Sequence, residues 1–436
     1  RIHGIPVVGR IKDLPTLAPK MNAGEILIAS PSASAAQMRR IVDHCKQTGL
    51  AFKTLPSLGE LINGKITVKA IRDVAYRDLL GREVVTLEKD KIGKYLERSC
   101  VLITGAGGSI GSELCRQVCR FKPRQILLFD QAESPLYDID LELRQNFPYV
   151  DTIPILGDIR NRSRLDKIFA YFKPQTIFHA AAYKHVPMLE LQPWEAVLNN
   201  IHGSRNVINA AVRFGAQRFV LVSTDKAVRP TNVMGTTKRV VELIAQARSC
   251  DDRVNTKFIT VRFGNVVGSV GSVIPLFRKQ IARGGPVTVT HPEVTRFFMT
   301  IPEASQLILQ AGAMGNGGEI YILEMGEPVK IANMAKDLIR MSGFEPGKDI
   351  QLKYIGLRPG EKLYEELITE GENIIHTTHQ KILVLTGQSC DLDRLNGNID
   401  TLIESAKTHN ATKIKRLLEQ LVPEYSPGPG ASLPDK

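Results

Sequence analysis

The chain has 436 residues, which is too long for one compact domain and suits two or three. Hydrophobic residues make up 43% and charged residues 23%, a composition that excludes wholesale disorder. The net charge of +12 favours an anionic partner such as nucleic acid, a membrane surface or a phosphorylated substrate, but aromatic residues are only 6%, which argues against stacking on nucleic acid.

A small α/β block opens the chain. Strand-like runs at 5–8, 25–29 and 51–55 bracket a helical stretch over 34–47, in which apolar residues recur at spacings of three and four. This pattern predicts a smaller Rossmann-like domain over residues 1–82. A charged connector is predicted to follow it over 83–98.

A longer series of strands and helices follows the connector. Most gaps between strands hold one helix, as parallel βαβ crossovers require. The fold class is therefore α/β, with a catalytic Rossmann domain over 99–420 and a Pro- and Gly-rich, disordered tail over 421–436. The strands are predicted at 101–104, 125–129, 152–156, 176–180, 219–223, 258–262 and 319–323.

The first of these strands leads into a glycine-rich turn with the pattern Gly105-x-x-Gly108-x-x-Gly111. Glycines let the chain turn sharply and allow a pyrophosphate to approach the backbone. At Ser109 and Ile110 the free N–H groups and the dipole of the following helix favour an anion. The alternative is a glycine-rich turn that binds no ligand. The turn alone is a moderate signal for phosphate binding.

Acidic residues at the ends of the next two strands favour a dinucleotide. Asp130 ends the second strand, where a carboxylate accepts hydrogen bonds from a ribose 2′-hydroxyl, and no Arg follows it directly, so NAD is favoured over NADP. Asp158 and Ile159 follow the third strand and are placed at the adenine edge, although Asp158 could equally be the N-cap of the next helix. The predicted cofactor site also includes Ala180 and Ala181, after the fourth strand.

A candidate catalytic segment follows the fifth strand. Thr224, Asp225 and Lys226 come directly after it, and Lys238 stands four residues after Met234. In short-chain dehydrogenases a hydroxyl residue follows this strand, and a Tyr four residues before a Lys shares one helix face with it. The Lys binds the nicotinamide ribose and lowers the pKa of the Tyr. Here Met234 takes the Tyr position, and Met cannot titrate.

These motifs resemble those of the long, membrane-anchored bacterial UDP-N-acetylglucosamine 4,6-dehydratases, which are extended short-chain dehydrogenase/reductases. The resemblance implies tightly held NAD, UDP-N-acetylglucosamine as substrate, and a role in polysaccharide biosynthesis and protein glycosylation. It also implies membrane helices upstream of Arg1, hence a bacterial inner-membrane protein with a cytoplasmic catalytic part. The similar segments are 179–190, 222–239, 262–266 and 357–362, with 27–34 and 53–56 resembling the family's accessory domain.

The same resemblance implies the reaction and the residues that carry it. The reaction consists of oxidation at sugar C4, loss of water across C5 and C6, and reduction at C6. Asp225 is the implied acid for the C6 oxygen, Lys226 the base at C5, and Thr224 a hydrogen-bond donor to the C4 oxygen. A basic Lys226 needs a lowered pKa, which burial and nearby Lys238 could provide. With Met234 in the Tyr position, the base for the C4 hydroxyl stays open among water, Asp225 and a relay through the substrate.

The substrate side is also assigned by resemblance. Arg358 is the implied ligand of the diphosphate, whose geometry suits the guanidinium fork, and Glu361 the implied contact of the uridine ribose. Lys184, Asn265 and Arg296 are further substrate candidates, with a structural role as the alternative for Arg296.

Three alternatives accompany the dehydratase hypothesis: an epimerase or a C5-inverting dehydratase of the same fold, and a non-catalytic NAD-binding regulator. An epimerase normally needs the Tyr and has no use for the Asp225–Lys226 pair. A regulator would not need Lys238 or the Arg358–Glu361 segment. A homo-oligomer is left open, with the helices flanking Met234 as candidate dimer interface. Six cysteines without a CxxC pair predict reduced thiols, and no metal site is expected.

Overall fold

The computed structural model describes the chain apart from residues 2–3, 31–32, 34, 56–71, 74–75, 81–84, 369–373, 386–391 and 428–436. The chain divides into two compact units, Arg1–Thr86 and Leu87–Lys436. The predicted connector over 83–98 is therefore mostly part of the second unit. It contains a helix, Lys89–Leu96, whose residues Ile92 and Leu96 are fully buried.

The described part of the first unit holds one βαβ arrangement. Apolar residues at i, i+4 and i+7 of its longer helix, namely Met38, Val42 and Cys45, are buried, which confirms the predicted helical periodicity. The predicted strand at 5–8 is wrong, because Ile5 and Val7 are 70% and 64% exposed and lie in no strand. The elements are α1 (Leu14–Lys20), β1 (Glu25–Ile28), α2 (Ala35–Gln47), β2 (Ala51–Thr54), parallel to β1, and β3 (Arg72–Asp73), antiparallel to β2.

The second unit is built on a large, mostly parallel sheet. The predicted strands after residue 99 are all present, which confirms the α/β Rossmann fold. In chain order the strands are β4 (Cys100–Thr104), β5 (Gln125–Asp130), β6 (Asp151–Leu156), β7 (Thr176–His179), β8 (Arg218–Val222), β9 (Lys257–Arg262), β10 (Asn265–Val267), β11 (Val287–Val289), β12 (Thr295–Arg296), β13 (Phe298–Thr300), β14 (Ile320–Leu323), β15 (Val329–Lys330), β16 (Leu352–Tyr354), β17 (Ile374–His376) and β18 (Ile382–Leu385).

Among the described residues the sheet has the order β17-β18-β14-β9-β8-β7-β4-β5-β6. The strands from β14 to β6 are parallel, and β18 and β17 add an antiparallel edge. β4 lies in the middle and every residue of it is buried, as expected for a parallel strand with helices on both faces. The short strands pair as β10 with β13, β11 with β16, and β12 with β15.

The helices form two layers over this sheet. In the first layer α3 contacts α12, α12 contacts α4, and α4 contacts α5. In the second layer α9 contacts both α6 and α10. The helices are α3 (Lys89–Leu96), α4 (Ser109–Cys119), α5 (Glu133–Asn146), α6 (Arg162–Phe172), α7 (Val186–Leu191), α8 (Pro193–Ala196), α9 (Ser204–Arg213), α10 (Val233–Ser249), α11 (Val273–Ala282), α12 (Ile301–Met314), α13 (Ile331–Met341), α14 (Leu392–Lys407) and α15 (Ala411–Leu421), with a π-helical turn at Val197–Gly203.

The C-terminal helices correct two predictions. α14 and α15 pack on α8, α10 and the π-helical turn, so that fourteen of the seventeen residues of α10 are buried within this chain. The helix that carries Met234 is therefore not a free dimer interface. The disordered tail predicted from residue 421 is wrong for residues 421–427, because Val422 and Tyr425 are buried in the core; residues 428–436 lie outside the described part.

Two properties of the described residues bear on the environment of the protein. No helix there combines the length and the apolar character that crossing a bilayer requires. The described cysteines are free thiols, and burial raises the pKa of Cys45 to about 11 and that of Cys119 to about 12.

Candidate active site

The predicted functional residues gather at the carboxyl-terminal edge of the parallel strands. The turns after β4, β7 and β8 are neighbours there, because these strands are adjacent in the sheet. Open α/β sheets bind ligands in the crevice at this edge. The sheet order thus brings the glycine-rich turn and the Thr224–Lys226 segment to one side of the molecule.

The glycine-rich turn has the close packing that a phosphate cradle needs. Gly105 has φ +71° and lies against the backbone after β7, so that a Cβ there would meet the amide N of Ala181 at 2.8 Å and the carbonyl C of Ala180 at 2.9 Å. A Cβ on Gly111 would lie 1.9 Å from the Gly105 carbonyl oxygen. Gly108 is the N-cap of α4 and brings no capping side chain. The first-turn amides, including those of Ser109 and Ile110, therefore suit an anion.

Asp130 holds this turn in place. Its Oδ2 accepts a hydrogen bond from the Gly107 N–H at 2.9 Å, and its Oδ1 accepts one from the Ala132 N–H at 2.9 Å. A carboxylate has about four acceptor positions, so both oxygens keep capacity for ribose hydroxyls. The residues present therefore fit the adenosine half of a dinucleotide.

Asp158 and Ile159, the residues predicted at the adenine edge, follow the third strand, β6. Asn161, and not Asp158, caps α6 by accepting a hydrogen bond from the Arg164 N–H, so the N-cap alternative for Asp158 is wrong. Asp158 instead forms an ion pair with Arg160, with Nη2 to Oδ2 at 2.6 Å. The side chain of Ile159 packs in the core, and its carbonyl accepts a hydrogen bond from Asn206 Nδ2 at 3.3 Å.

The Thr224–Lys226 segment forms a 3-10 turn at Asp225–Ala227 that abuts α10. Thr224 caps this turn, and the Asp225 N–H donates to the Phe263 carbonyl at the end of β9. α10 begins immediately above it with Asn232 as N-cap. Gly235 is required at the contact, because a Cβ there would lie 2.1 Å from the Lys226 carbonyl oxygen.

Lys226 joins two carboxylates at the centre of the site. Its ammonium lies 3.0 Å from Asp225 Oδ1 and 2.6 Å from Glu365 Oε1, and it donates to Asn265 Oδ1 at 3.4 Å. The Asp225 side chain is fully buried, that of Glu365 is 3% exposed, and that of Lys226 is 21% exposed. Thr224 Oγ1 donates to Asp225 Oδ1 at 2.9 Å. The lysine is thus the member of the group that reaches the cleft.

The charges of this group move the pKa values in opposite directions. Burial works to lower the pKa of Lys226, but the negative charges of Asp225 and Glu365 outweigh it and raise that pKa. The expected lowering by burial and by Lys238 is therefore wrong for the ligand-free site. Burial works to raise the pKa of Asp225, but Lys226, a hydrogen bond with Glu365, and Thr224 hold it below the usual value. Burial and the charge of Asp225 raise the pKa of Glu365 to about 7.

Lys238 and Met234 lie at the start of α10, both nearly fully buried. Burial lowers the pKa of Lys238 to about 8 against the opposing charge of Glu242. Met234 offers no titratable group beside the catalytic turn. The position that carries a Tyr in short-chain dehydrogenases is therefore apolar in this site.

The substrate-side candidates divide into paired and free groups. Arg296 is paired within the chain, with Nη2 at 2.9 Å from Glu361 Oε1 and Nε at 3.2 Å from Glu365 Oε1. This pairing favours the structural role for Arg296. Arg358 is exposed, and its guanidinium has no partner among the described residues. Lys184 donates to the Val270 carbonyl at 2.9 Å.

The segment that carries Arg358 and Glu361 docks on the N-terminus of α10. The Gly360 carbonyl accepts hydrogen bonds from the side chains of Thr231 and Asn232, each at 3.1 Å. A Cβ on Gly360 would lie 2.7 Å from the Asn232 Cβ. This docking carries the predicted substrate residues to the mouth of the cleft beside Lys226.

Sequence reasoning missed Glu365. It lies four residues after Glu361, just beyond the 357–362 segment that was predicted to bind substrate. The signal was a carboxylate close to the Arg-Pro-Gly-Glu motif, but nothing in its local pattern shows that it turns inward to Lys226 and Asn265, whose Nδ2 donates to Glu365 Oε2 at 3.1 Å.

Comparison with known proteins identifies relatives for this arrangement. The family model described as polysaccharide biosynthesis protein matches residues 101–387. The capsular polysaccharide biosynthesis protein CapD of Staphylococcus aureus is 43% identical over 423 residues, which are 97% of this chain and 67% of CapD. The chain thus spans about two thirds of that relative.

Two enzyme relatives match a smaller share of this chain. A UDP-N-acetylglucosamine 4,6-dehydratase (inverting) of Campylobacter jejuni is 34% identical over 64% of this chain and 80% of its own length. A UDP-glucose 4-epimerase of Rickettsia canadensis is 36% identical over 62% of this chain and 77% of its own length. Among solved structures, Pen from Bacillus thuringiensis has a TM-score of 0.62 and 34% identity over 68% of this chain and 90% of that chain.

Proposed function

Because this chain belongs to the polysaccharide biosynthesis protein family, with nucleotide-sugar dehydratases and epimerases among its relatives, we propose that it is an NAD-dependent 4,6-dehydratase of UDP-N-acetylglucosamine. The observation that carries the proposal is the Asp225–Lys226 pair at the cleft, an acid and a base side by side. Elimination of water needs both, whereas epimerisation needs neither at C5 or C6.

The cofactor part of the proposal rests on the glycine-rich turn. Gly105, Gly108 and Gly111 leave room for a pyrophosphate at the N-terminus of α4, and Asp130 supplies acceptors for the ribose. In this proposal Lys238 would contact the nicotinamide ribose. When bound there, NAD⁺ would supply the hydride acceptor for oxidation at C4 and the hydride for reduction at C6.

The protein residues supply the proton chemistry. Thr224 donates its hydroxyl proton to Asp225 Oδ1 in the ligand-free site and would turn it to the C4 oxygen to hold the sugar above the turn. Lys226 removes the C5 proton, which the C4 ketone acidifies, and Asp225 delivers a proton to the C6 oxygen as it leaves as water. The Asp225 side chain is buried beneath Lys226, so this delivery requires the substrate to displace the ammonium.

The substrate part of the proposal rests on an exposed arginine, Arg358, at the mouth of the cleft. A UDP-sugar carries a diphosphate, for which the unpaired guanidinium of Arg358 is a suitable ligand. Glu361 is already held by Arg296 and by the Thr290 hydroxyl at 3.1 Å, so its remaining acceptor capacity would meet the uridine ribose.

The test is incubation of purified protein with UDP-N-acetylglucosamine without added cofactor, followed by mass spectrometry. The expected product has lost one water and carries a carbonyl that exchanges oxygen in labelled water. Asp225→Asn and Lys226→Ala should each abolish it. A product of unchanged mass but inverted at C4 would favour an epimerase. Unchanged substrate with NAD bound would refute the dehydratase and favour a regulator.

A further inference from the structure

A carboxyl group that the proposed reaction does not use contacts both of its proton-transfer residues. Glu365 lies against the Lys226 ammonium at 2.6 Å, and Asp225 lies against the same ammonium at 3.0 Å. Asp225 Oδ2 and Glu365 Oε1 are both buried, and neither has an aligned hydrogen-bond donor among the described residues. Two adjacent carboxyl groups satisfy each other when one of them holds a proton.

We propose that Glu365 shares one proton with Asp225 and relays protons from Lys226 to Asp225, which makes it a positioning residue of the acid–base pair. This inference rests on the proposed dehydration. It gives a function to a buried carboxyl group that contacts the proposed base and that the proposed reaction otherwise leaves unused.

The relay balances without any added reagent. At rest the group holds Lys226 as ammonium, Glu365 as carboxylic acid and Asp225 as carboxylate. Glu365 passes its proton to Asp225 and receives one from Lys226, which leaves a neutral amine, a protonated Glu365 and a protonated Asp225. The amine then takes the C5 proton and Asp225 gives its proton to the departing C6 oxygen. Both residues return to their resting state.

Direct transfer from Lys226 to Asp225 reaches the same end state as the relay, but the relay divides this uphill transfer into two smaller steps. The site raises the pKa of the lysine and lowers that of Asp225, so the proton would move to the weaker base. Glu365, with a pKa of about 7, lies between the two. The charged groups around it are Asp225 and Lys226 on the turn after β8, Arg296 on β12, and Lys362 on its own segment.

Infrared difference spectroscopy tests the shared proton in the ligand-free protein. Wild type should show a protonated carboxyl that titrates near pH 7. Glu365→Gln should remove this band. Glu366→Gln is the matched control, because Glu366 is the neighbouring carboxylate and pairs with Arg229 outside the site. A band that persists in Glu365→Gln refutes the shared proton.

Steady-state kinetics test the relay. Because Glu365 must hold a proton, wild-type kcat should fall on the alkaline side with a midpoint near pH 7. Glu365→Gln should lower kcat about tenfold or more and leave KM within about twofold. Its kcat should no longer fall on the alkaline side with a midpoint near pH 7. Glu365→Asp keeps the titrating group and should recover part of kcat; it also serves if the Gln variant does not fold.

The outcomes separate this inference from the proposed function. If Glu365→Gln keeps the wild-type kcat and pH profile, the relay is refuted. If both Glu365 variants lose kcat while the alkaline limb persists, the role of Glu365 is structural and the relay is refuted as well. If wild type forms no dehydrated product, the proposed function fails, and the infrared titration still decides whether the carboxyl pair shares a proton.

Discussion

Removing the charge of Glu242 should destabilise the second unit strongly. Glu242 on α10 is fully buried and binds Arg262 through two hydrogen bonds of 2.8 and 2.6 Å. It also accepts from Ser223 at 2.6 Å and pairs with Arg239 at 3.2 Å. Since Ser223 directly precedes Thr224, this cluster also fixes the strand end that carries the catalytic turn.

Two lines of reasoning give similar magnitudes for Glu242→Gln. Burial works to raise the pKa of Glu242, but Arg262, Arg239 and Ser223 hold it at about 2, against the usual 4.5. That shift corresponds to about 3 kcal/mol at about 1.4 kcal/mol per pH unit. Removal of one partner from a buried ion pair costs about 3–5 kcal/mol. We therefore expect the free energy of unfolding to fall by about 3 kcal/mol.

The assay is urea unfolding followed by the fluorescence of Trp194, the only Trp of the chain, which lies in the same unit. Glu404→Gln is the control, since its pair with Lys407 is exposed and such pairs contribute about 0–1 kcal/mol. The contribution of Glu242 should be present above about pH 4.5 and be lost as the pH falls towards 2. A Glu242→Gln variant within about 1 kcal/mol of wild type would refute the reasoning.

Two further substitutions test the ligand sites. Gly111→Ala should abolish retention of NAD, measured as nucleotide released on denaturation, because its Cβ would lie 1.9 Å from a backbone oxygen; Gly397→Ala meets nothing within 4 Å and should retain it. Arg358→Ala should raise KM for the UDP-sugar about tenfold with an unchanged unfolding curve, since the exposed guanidinium has no partner in the described chain. Equal KM values for Arg358→Ala and the surface control Arg340→Ala would contradict the assignment.

Features encoded by neighbouring residues were predictable from the sequence. The alternation of apolar runs and helical periodicity predicted the seven parallel strands of the large sheet, β4 to β9 and β14, within one or two residues. The glycine spacing located the turn between β4 and α4, and the order of residues placed Thr224, Asp225 and Lys226 directly after β8. These features are local, because strand pattern, turn chemistry and capping each involve residues a few positions apart.

The features that sequence reasoning missed or got wrong depend on contacts between distant segments. Glu365 joins Lys226 and Arg296 only because the Arg358–Glu361 segment docks on α10, and the rise in the Lys226 pKa is the sum of charges from two elements. The covering of α10 by α14 and α15 is likewise a packing result. The sequence by itself determined which chemical groups follow which strand. Only the tertiary structure decided which of them lie in contact and how their pKa values shift, because the pKa of a buried group depends on distances of a few ångströms between residues far apart in the chain.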